Sequence, residues 1–321
     1  MKLTFDQIKS VTVGALSVKS TDKGIEFDRF TPLQVAAWYA LEHVLGERAE
    51  ATTGVRLDFY TDAKELRLSF TSGNKIEVLV DGLFREQFLM EEKRKEGERA
   101  VFAITDLLGK PLERARVTVV LSSHDRAVLD ALELVDATYI EPVKHEKKIL
   151  FIGDSITQGW ASQYDSLSYA WRLTNFFDAD SIIQGVGGGF YHRSFLDDID
   201  FDPEIVFLAY GTNDFGHYPT KDAMRAEVRA FHDGIAERYG DKKVFVISPI
   251  WRGRQEKPMG SFAECREIVI DEARRHGFVH VDGLSLVPAG PSFFFDRDLH
   301  PDDLGFAFYA ERLLKEILPQ L

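Results

Sequence analysis

Along residues 1–145 apolar and polar positions alternate in short runs, at 11–18, 55–60, 65–70, 76–80 and 116–121. A period of two sustained over a few residues predicts strands that bury one face and wet the other. Turn signals separate them, among them Thr61-Asp62, Ser72-Gly73-Asn74 and Asp81-Gly82. Many short, punctuated strands predict an antiparallel sandwich of the jelly-roll kind. One stretch breaks the pattern: Thr31-Pro32 supplies an N-cap and an N1 proline ahead of Leu33 to Leu41, a short helix expected to pack against the sandwich. The run at 91–99 mixes acidic and basic residues and reads as a solvated hairpin loop.

A polar, proline-containing linker at 141–147 marks a change of texture. Beyond it, apolar runs at 148–152, 181–184, 204–210, 243–248 and 278–281 alternate with helical periodicity at 168–177, 221–239, 261–276 and 304–317. Such alternation predicts a parallel sheet with helices on both faces, a three-layer α/β domain of flavodoxin-like economy. The expected organisation is an all-β sandwich (jelly-roll) accessory domain at 1–145 and the α/β domain at 146–321. A chain of 321 residues is long for one core, which agrees with two.

Composition narrows the partners. A formal charge of −13 and a pI near 5.2 argue against nucleic acid or an anionic membrane surface, either of which would need a basic face. Cys265 is the only cysteine, so no intramolecular disulfide can form, and its helical setting suggests a buried structural thiol. Without a long apolar segment or a signal-like N-terminus, the expected address is the cytoplasm. No cofactor and no metal are expected. The dinucleotide fingerprint that Gly185 might open fails at Phe190, and no His-Glu-x-x-His cluster occurs.

The chemistry-bearing residues gather where predicted strands end. Gly153-Asp154-Ser155 follows the first, a glycine-rich loop at 185–189 the second, and Gly211-Thr212-Asn213-Asp214 the third, while Phe295-Asp296-Arg297-Asp298-Leu299-His300-Pro301 precedes the last helix. In an open α/β sheet such loops share one rim, where ligands bind. A serine nucleophile there needs a base, and His300 is suited to the task near neutral pH. A carboxylate would hold the imidazole's tautomer. The Ser155 amide, a glycine amide from 185–189 and the Asn213 side chain could stabilise an oxyanion.

Taken together and in this chain order, the four blocks resemble the SGNH hydrolases, the GDSL esterase and lipase family, over roughly residues 147–321. The resemblance implies Ser155 as nucleophile, His300 as base and an oxyanion hole from Ser155, Gly188 and Asn213. Gly188 occupies the last position of the family's Gly-x-x-Gly loop, with Gly187 and Gly189 as neighbouring alternatives. Two departures stand out. Arg297 sits three residues before His300 where the family carries aspartate, leaving Asp298 as the favoured carboxylate, with Asp296 or a backbone carbonyl as alternatives. Ile183 and Gln184 stand where the glycine block often has asparagine.

A jelly roll ahead of such a domain is also similar to two-domain carbohydrate esterases. That likeness implies a small-molecule or oligosaccharide ester as substrate, with a short acyl group, acetyl first, on a sugar. Trp160, Tyr191, Phe215, Tyr218, Trp251 and the phenylalanines at 293–295 are aromatic candidates for stacking on it. An acyltransferase resolving an acyl-Ser155 intermediate with an alcohol is the nearer alternative. A non-catalytic glycan-binding protein is the further one, and retention of Ser155, Asn213 and His300 argues against it. His192 and His217 fall in neighbouring loops and stay outside the catalytic set.

Overall fold

In the computed structural model, which describes all 321 residues, the N-terminal alternation becomes two antiparallel sheets. One runs in the order Thr12–Val13, Arg56–Thr61, Ala115–Leu121, Lys75–Val80, Leu83–Leu89, with Ile140–Pro142 also pairing with Arg56–Thr61. The other runs Ser17–Thr21, Gly24–Asp28, Val128–Val135, Glu65–Ser72, Ala100–Ala103. Alternate residues of both sheets, among them Leu57, Phe59, Val117, Val119, Leu66 and Leu68, meet in one apolar core. This is the expected sandwich.

Two helices depart from the expectation for this region. Met90–Glu96 is a helix rather than a hairpin loop. Its mixed charges are arranged for that, with Glu91 and Glu92 in the first turn, basic residues in the last, a Glu91–Lys95 pair at 2.7 Å one turn apart, and Gly97 at φ 70° as the left-handed cap. Phe5–Val11 forms a second helix behind a Thr4 and Gln7 capping box.

The chain divides into two units that are not contiguous halves. The first comprises Met1–Arg29, Glu50–Glu146 and Tyr164–Ser166, and the second Phe30–Ala49, Lys147–Gln163 and Leu167–Leu321. The segment expected to pack against the sandwich therefore belongs to the second unit. Burial explains it: Gln34 and Gln184 exchange side-chain amide hydrogen bonds at 3.2 and 3.1 Å, Trp38 stacks on Phe195, and Thr31 Oγ1 donates to Asp197.

Within the second unit, five parallel strands, β1 (Lys148–Gly153), β2 (Asp180–Gly185), β3 (Ile205–Ala209), β4 (Lys243–Ile247) and β5 (Val279–Val281), lie in the order β2-β1-β3-β4-β5. That is the flavodoxin-like order. Among the helices of this unit are α1 (Pro32–Leu41), α2 (His43–Glu50), α3 (Ser155–Gln158), α4 (Tyr169–Phe176), α5 (Asp214–His217), α6 (Lys221–Tyr239), α7 (Phe262–Arg275) and α8 (Asp303–Ile317). Phe151, Phe207 and Phe245 stack in a row across the sheet and share a core with Tyr169 and Leu173 of α4 and Phe306, Tyr309 and Leu313 of α8. Residues of opposite parity, such as Leu150, Val206 and Val246, are equally buried, as a sheet covered on both faces requires. No helix is long and apolar enough to cross a membrane.

β1 ends at Gly153 because α3 sits directly on its carboxyl end. A Cβ at 153 would lie 2.1 Å from Thr157 Oγ1 and 2.8 Å from the carbonyl oxygen of Ala209. Gly153→Ala is therefore expected to lower stability by about 1–3 kcal/mol through overpacking. Thermal unfolding reads this, and an unchanged Tm would mean that α3 is not pinned there.

Candidate active site

The strand order reverses around β1, so the carboxyl end of β1 lies at the sheet's topological switch point, the ligand-binding crevice of such folds. Asp154 caps α3, its Oδ1 accepting the Ile156 N–H at 2.9 Å, and Gly159 closes the single turn at φ 86°. Ser155 is thus the first residue of a short helix pinned at both ends. Its side chain is nearly buried, and its own N–H has no protein acceptor.

His300 arrives from the loop before α8. Its Nε2 lies 2.9 Å from Ser155 Oγ, and its Nδ1 lies 2.7 Å from Asp296 Oδ2. The carboxylate behind the imidazole is Asp296, which corrects the sequence preference for Asp298. Arg297 takes a left-handed conformation at φ 60°, and the loop wraps around Asp296, whose Oδ1 accepts the N–H groups of Asp298, Leu299 and His300 at 3.0, 2.7 and 3.1 Å. Asp298 turns away, its Oδ1 accepting the Arg254 N–H at 2.9 Å. Burial pushes the Asp296 carboxyl up, but the amide donors and the imidazole outweigh it and hold the pKa down at about 2. An ionised Asp296 makes Nδ1 the protonated nitrogen, which leaves Nε2 to accept the Ser155 hydroxyl.

The three glycine amides of the loop differ in their acceptors. Gly187 N–H donates to Gln158 Oε1 at 2.7 Å and Gly189 N–H to the Val186 carbonyl at 2.8 Å. Gly188, at φ 86°, keeps an N–H with no protein acceptor. Asn213 Nδ2 donates to the Gly189 carbonyl at 2.8 Å, which orients its amide and leaves its second hydrogen for another acceptor. Asp214 ties the two loops, accepting from Tyr191 N–H at 3.0 Å and Gly211 N–H at 2.9 Å. Burial raises the Asp214 carboxyl to about 7; burial, and then the charge of Asp214, does the same to Asp154.

Arg48 was not among the residues singled out from sequence. Its Nη1 donates to the Gly187 carbonyl at 2.8 Å. In a planar trans peptide the carbonyl of Gly187 and the N–H of Gly188 point opposite ways, so Arg48 holds that N–H turned away from itself. Nothing in local spacing signals a partner 139 residues upstream.

Residues 151–308 match the profile of the GDSL-like lipase/acylhydrolase family. The second unit is an SGNH hydrolase of that family. No curated protein matches the chain in sequence. Among solved structures, a salicylyl-acyltransferase from a tetracycline biosynthetic pathway superposes with a TM-score of 0.78 at 19% identity, covering 96% of this chain and 94% of that one. A family two carbohydrate esterase from Clostridium thermocellum, in complex with cellohexaose, gives 0.64 at 18% over 84% and 93%. An acetyl xylan esterase from the rumen bacterium Butyrivibrio proteoclasticus gives 0.64 at 13% over 100% and 99%. At these identities the likeness is one of fold.

Other candidates of the SGNH hydrolase unit sort by burial. Tyr191 and Phe215 are fully buried and Phe294 nearly so, which makes them core. Trp160, 38% exposed with its ring 6.4 Å from that of His300, and Phe295, 73% exposed, remain on the surface of the site region. Cys265 is buried, its Sγ against the Gly211 carbonyl, and burial pushes its thiol well above the usual range. His217 stacks on Phe190 at 3.7 Å, and His192 bonds Ser194. A cavity of about 470 Å³ opens beside Gly188 and Asn213, walled by α1 and α2 on one side and by Phe190 and His217 on the other.

Asp296→Asn should lower kcat by about 10²-fold or more, because the wrong imidazole tautomer is then favoured, while Asp298→Asn should cost far less; equal losses would refute the assignment. Asp154 and Asp214 bind protons more tightly folded than unfolded, so their contribution to stability declines as pH rises from about 4 to about 7. Asp214→Asn should make the slope of unfolding free energy against pH less negative in that window, and chemical denaturation at a series of pH values reads it.

Proposed function

We propose that the SGNH unit is a serine esterase that cleaves short acyl esters of carbohydrates or related small molecules through an acyl-Ser155 intermediate. The observation that carries this reading is the continuous Ser155–His300–Asp296 relay, at 2.9 and 2.7 Å, beside unspent amides at Ser155 and Gly188. His300 Nε2 takes the Ser155 hydroxyl proton as Oγ bonds to the ester carbon. The oxyanion that forms accepts from Ser155 N–H, Gly188 N–H and Asn213 Nδ2. As it collapses, the carbon–oxygen bond to the alcohol breaks and the imidazolium returns its proton to that oxygen. Water then attacks the acyl-serine by the same route in reverse. Ionised Asp296 stabilises the imidazolium throughout, and it never needs to take the proton.

Acyl esters of sugars, with acetyl as the shortest acyl group, are the first substrates to test, since the fold is shared with an acetyl xylan esterase and with an esterase solved with cellohexaose. The exposed faces of Trp160 and Phe295 suit a sugar on the His300 side. A second reading, transfer of the acyl group to another alcohol instead of water, is favoured by the likeness to a salicylyl-acyltransferase along 96% of the chain.

Ser155→Ala should abolish release of p-nitrophenol from p-nitrophenyl acetate, and Asn213→Ala should cost about 10²–10³-fold in kcat, the usual scale for one oxyanion donor. Persistent activity in the serine variant would sink the mechanism. Arg48→Ala should lower kcat more than it raises KM, because it loosens a donor that matters most in the transition state; a pure KM effect would deny Arg48 that part. Adding a sugar alcohol to the assay distinguishes transfer from hydrolysis by the ester it forms.

A further inference from the structure

The structure assigns the cavity beside Gly188 and Asn213 as the acyl subsite of this enzyme, sized for an acyl group larger than acetyl and built in part by the Phe30–Ala49 excursion. This rests on the serine-esterase reading above and goes further by naming the substrate class. The stereochemistry of the tetrahedral intermediate directs it. Of the four substituents on the reacting carbon, Ser155 Oγ is one and the oxyanion, held between Gly188 and Asn213, is another. The leaving oxygen must lie near His300 Nε2 to receive its proton. The acyl chain is directed away from His300, and on that side the cavity begins at the same Gly188 and Asn213.

The lining mixes polar groups, Glu42, Arg48 and Asn213, with an apolar part that suits a hydrocarbon tail. Leu41, Val44 and Leu45 face the cavity from the excursion, and Phe190 with His217 stacked on it closes the other side. Burial, with His192 nearby, lowers the pKa of His217, so it meets the tail as a neutral ring. Arg48 lines the cavity with its Nη1 committed to the Gly187 carbonyl and its guanidinium 5.6 Å over the Trp160 ring. Volume sets the size. An acetyl methyl, comparable to the ~30 Å³ share of one water, would leave nearly all of the 470 Å³ to solvent, whereas an acyl chain of about four to eight carbons, or a benzoyl ring, would displace that water and bury apolar surface.

The test is the acyl-length profile of wild-type kcat/KM on p-nitrophenyl acetate, butyrate, hexanoate, octanoate and benzoate, beside a series of acetate esters of lengthening alcohols. The expected result is a rise of up to about fourfold per methylene from acetate to hexanoate, the equivalent of one buried CH2, with little gain along the alcohol series. Leu41→Trp, at a half-exposed position that tolerates bulk, should collapse the hexanoate-to-acetate ratio; Val44→Trp gives the same readout should the first variant fold poorly. Acetate as the best substrate, a gain that follows the alcohol, or a ratio untouched by both folded variants overturns the inference alone. Activity surviving in Ser155→Ala, or none on any ester in wild type, overturns the esterase reading beneath it.

Discussion

The hydrogen bond between Ser155 Oγ and His300 Nε2 joins residues 145 positions apart, and it exists only if β1 and the loop before α8 finish at the same edge of one sheet. A parallel sheet ordered β2-β1-β3-β4-β5 enforces that convergence, because every strand delivers its following loop to the same rim. The aromatic row of Phe151, Phe207 and Phe245, packed under Tyr169 and Tyr309, keeps the strands in register beneath it. Displacing one strand would move Ser155 or His300 without touching its chemistry. In this sense the core is part of the site.

The rim itself is held by polar groups that spend their hydrogen bonds on one another. Asp154 caps the turn bearing Ser155, Asp214 ties the Gly211 and Tyr191 amides, Gln158 takes the Gly187 amide, and Asp296 gathers three amides and an imidazole. Two of these carboxylates are buried deeply enough to be raised to about 7, whereas Asp296 is held near 2 by its donors. The same residue type serves in opposite charge preferences because desolvation prevails in one setting and hydrogen bonding in the other. What the network leaves unspent are the N–H groups of Ser155 and Gly188 and one hydrogen of Asn213, the donors an oxyanion would need.

The Phe30–Ala49 excursion changes the picture of how the chain is divided. It departs from within the sandwich sequence, yet its buried contacts are to the β2–β3 region, through Gln34 with Gln184, Trp38 with Phe195 and Arg48 with Gly187. A surface helix would not bury a glutamine pair and a stacked tryptophan. The excursion instead forms one wall of the cavity next to Gly188 and Asn213.

Much was legible from residues alone. Strand periodicity distinguished the sandwich from the α/β region, and the order of Gly153-Asp154-Ser155, the glycine loop, Asn213 and His300 pointed to one chemistry, because those residue types are needed together and strand-end loops must meet. What the sequence could not decide were features set by through-space geometry. Asp296 and Asp298 are equivalent by composition, and only the left-handed turn at Arg297 aims one at the imidazole. Gly187, Gly188 and Gly189 are identical residues, told apart only by which amides already have acceptors. Arg48 and the helices around it carry a local signal for helix and none for their partner, since affinity for a distant surface is a property of burial, which exists only once the chain has folded.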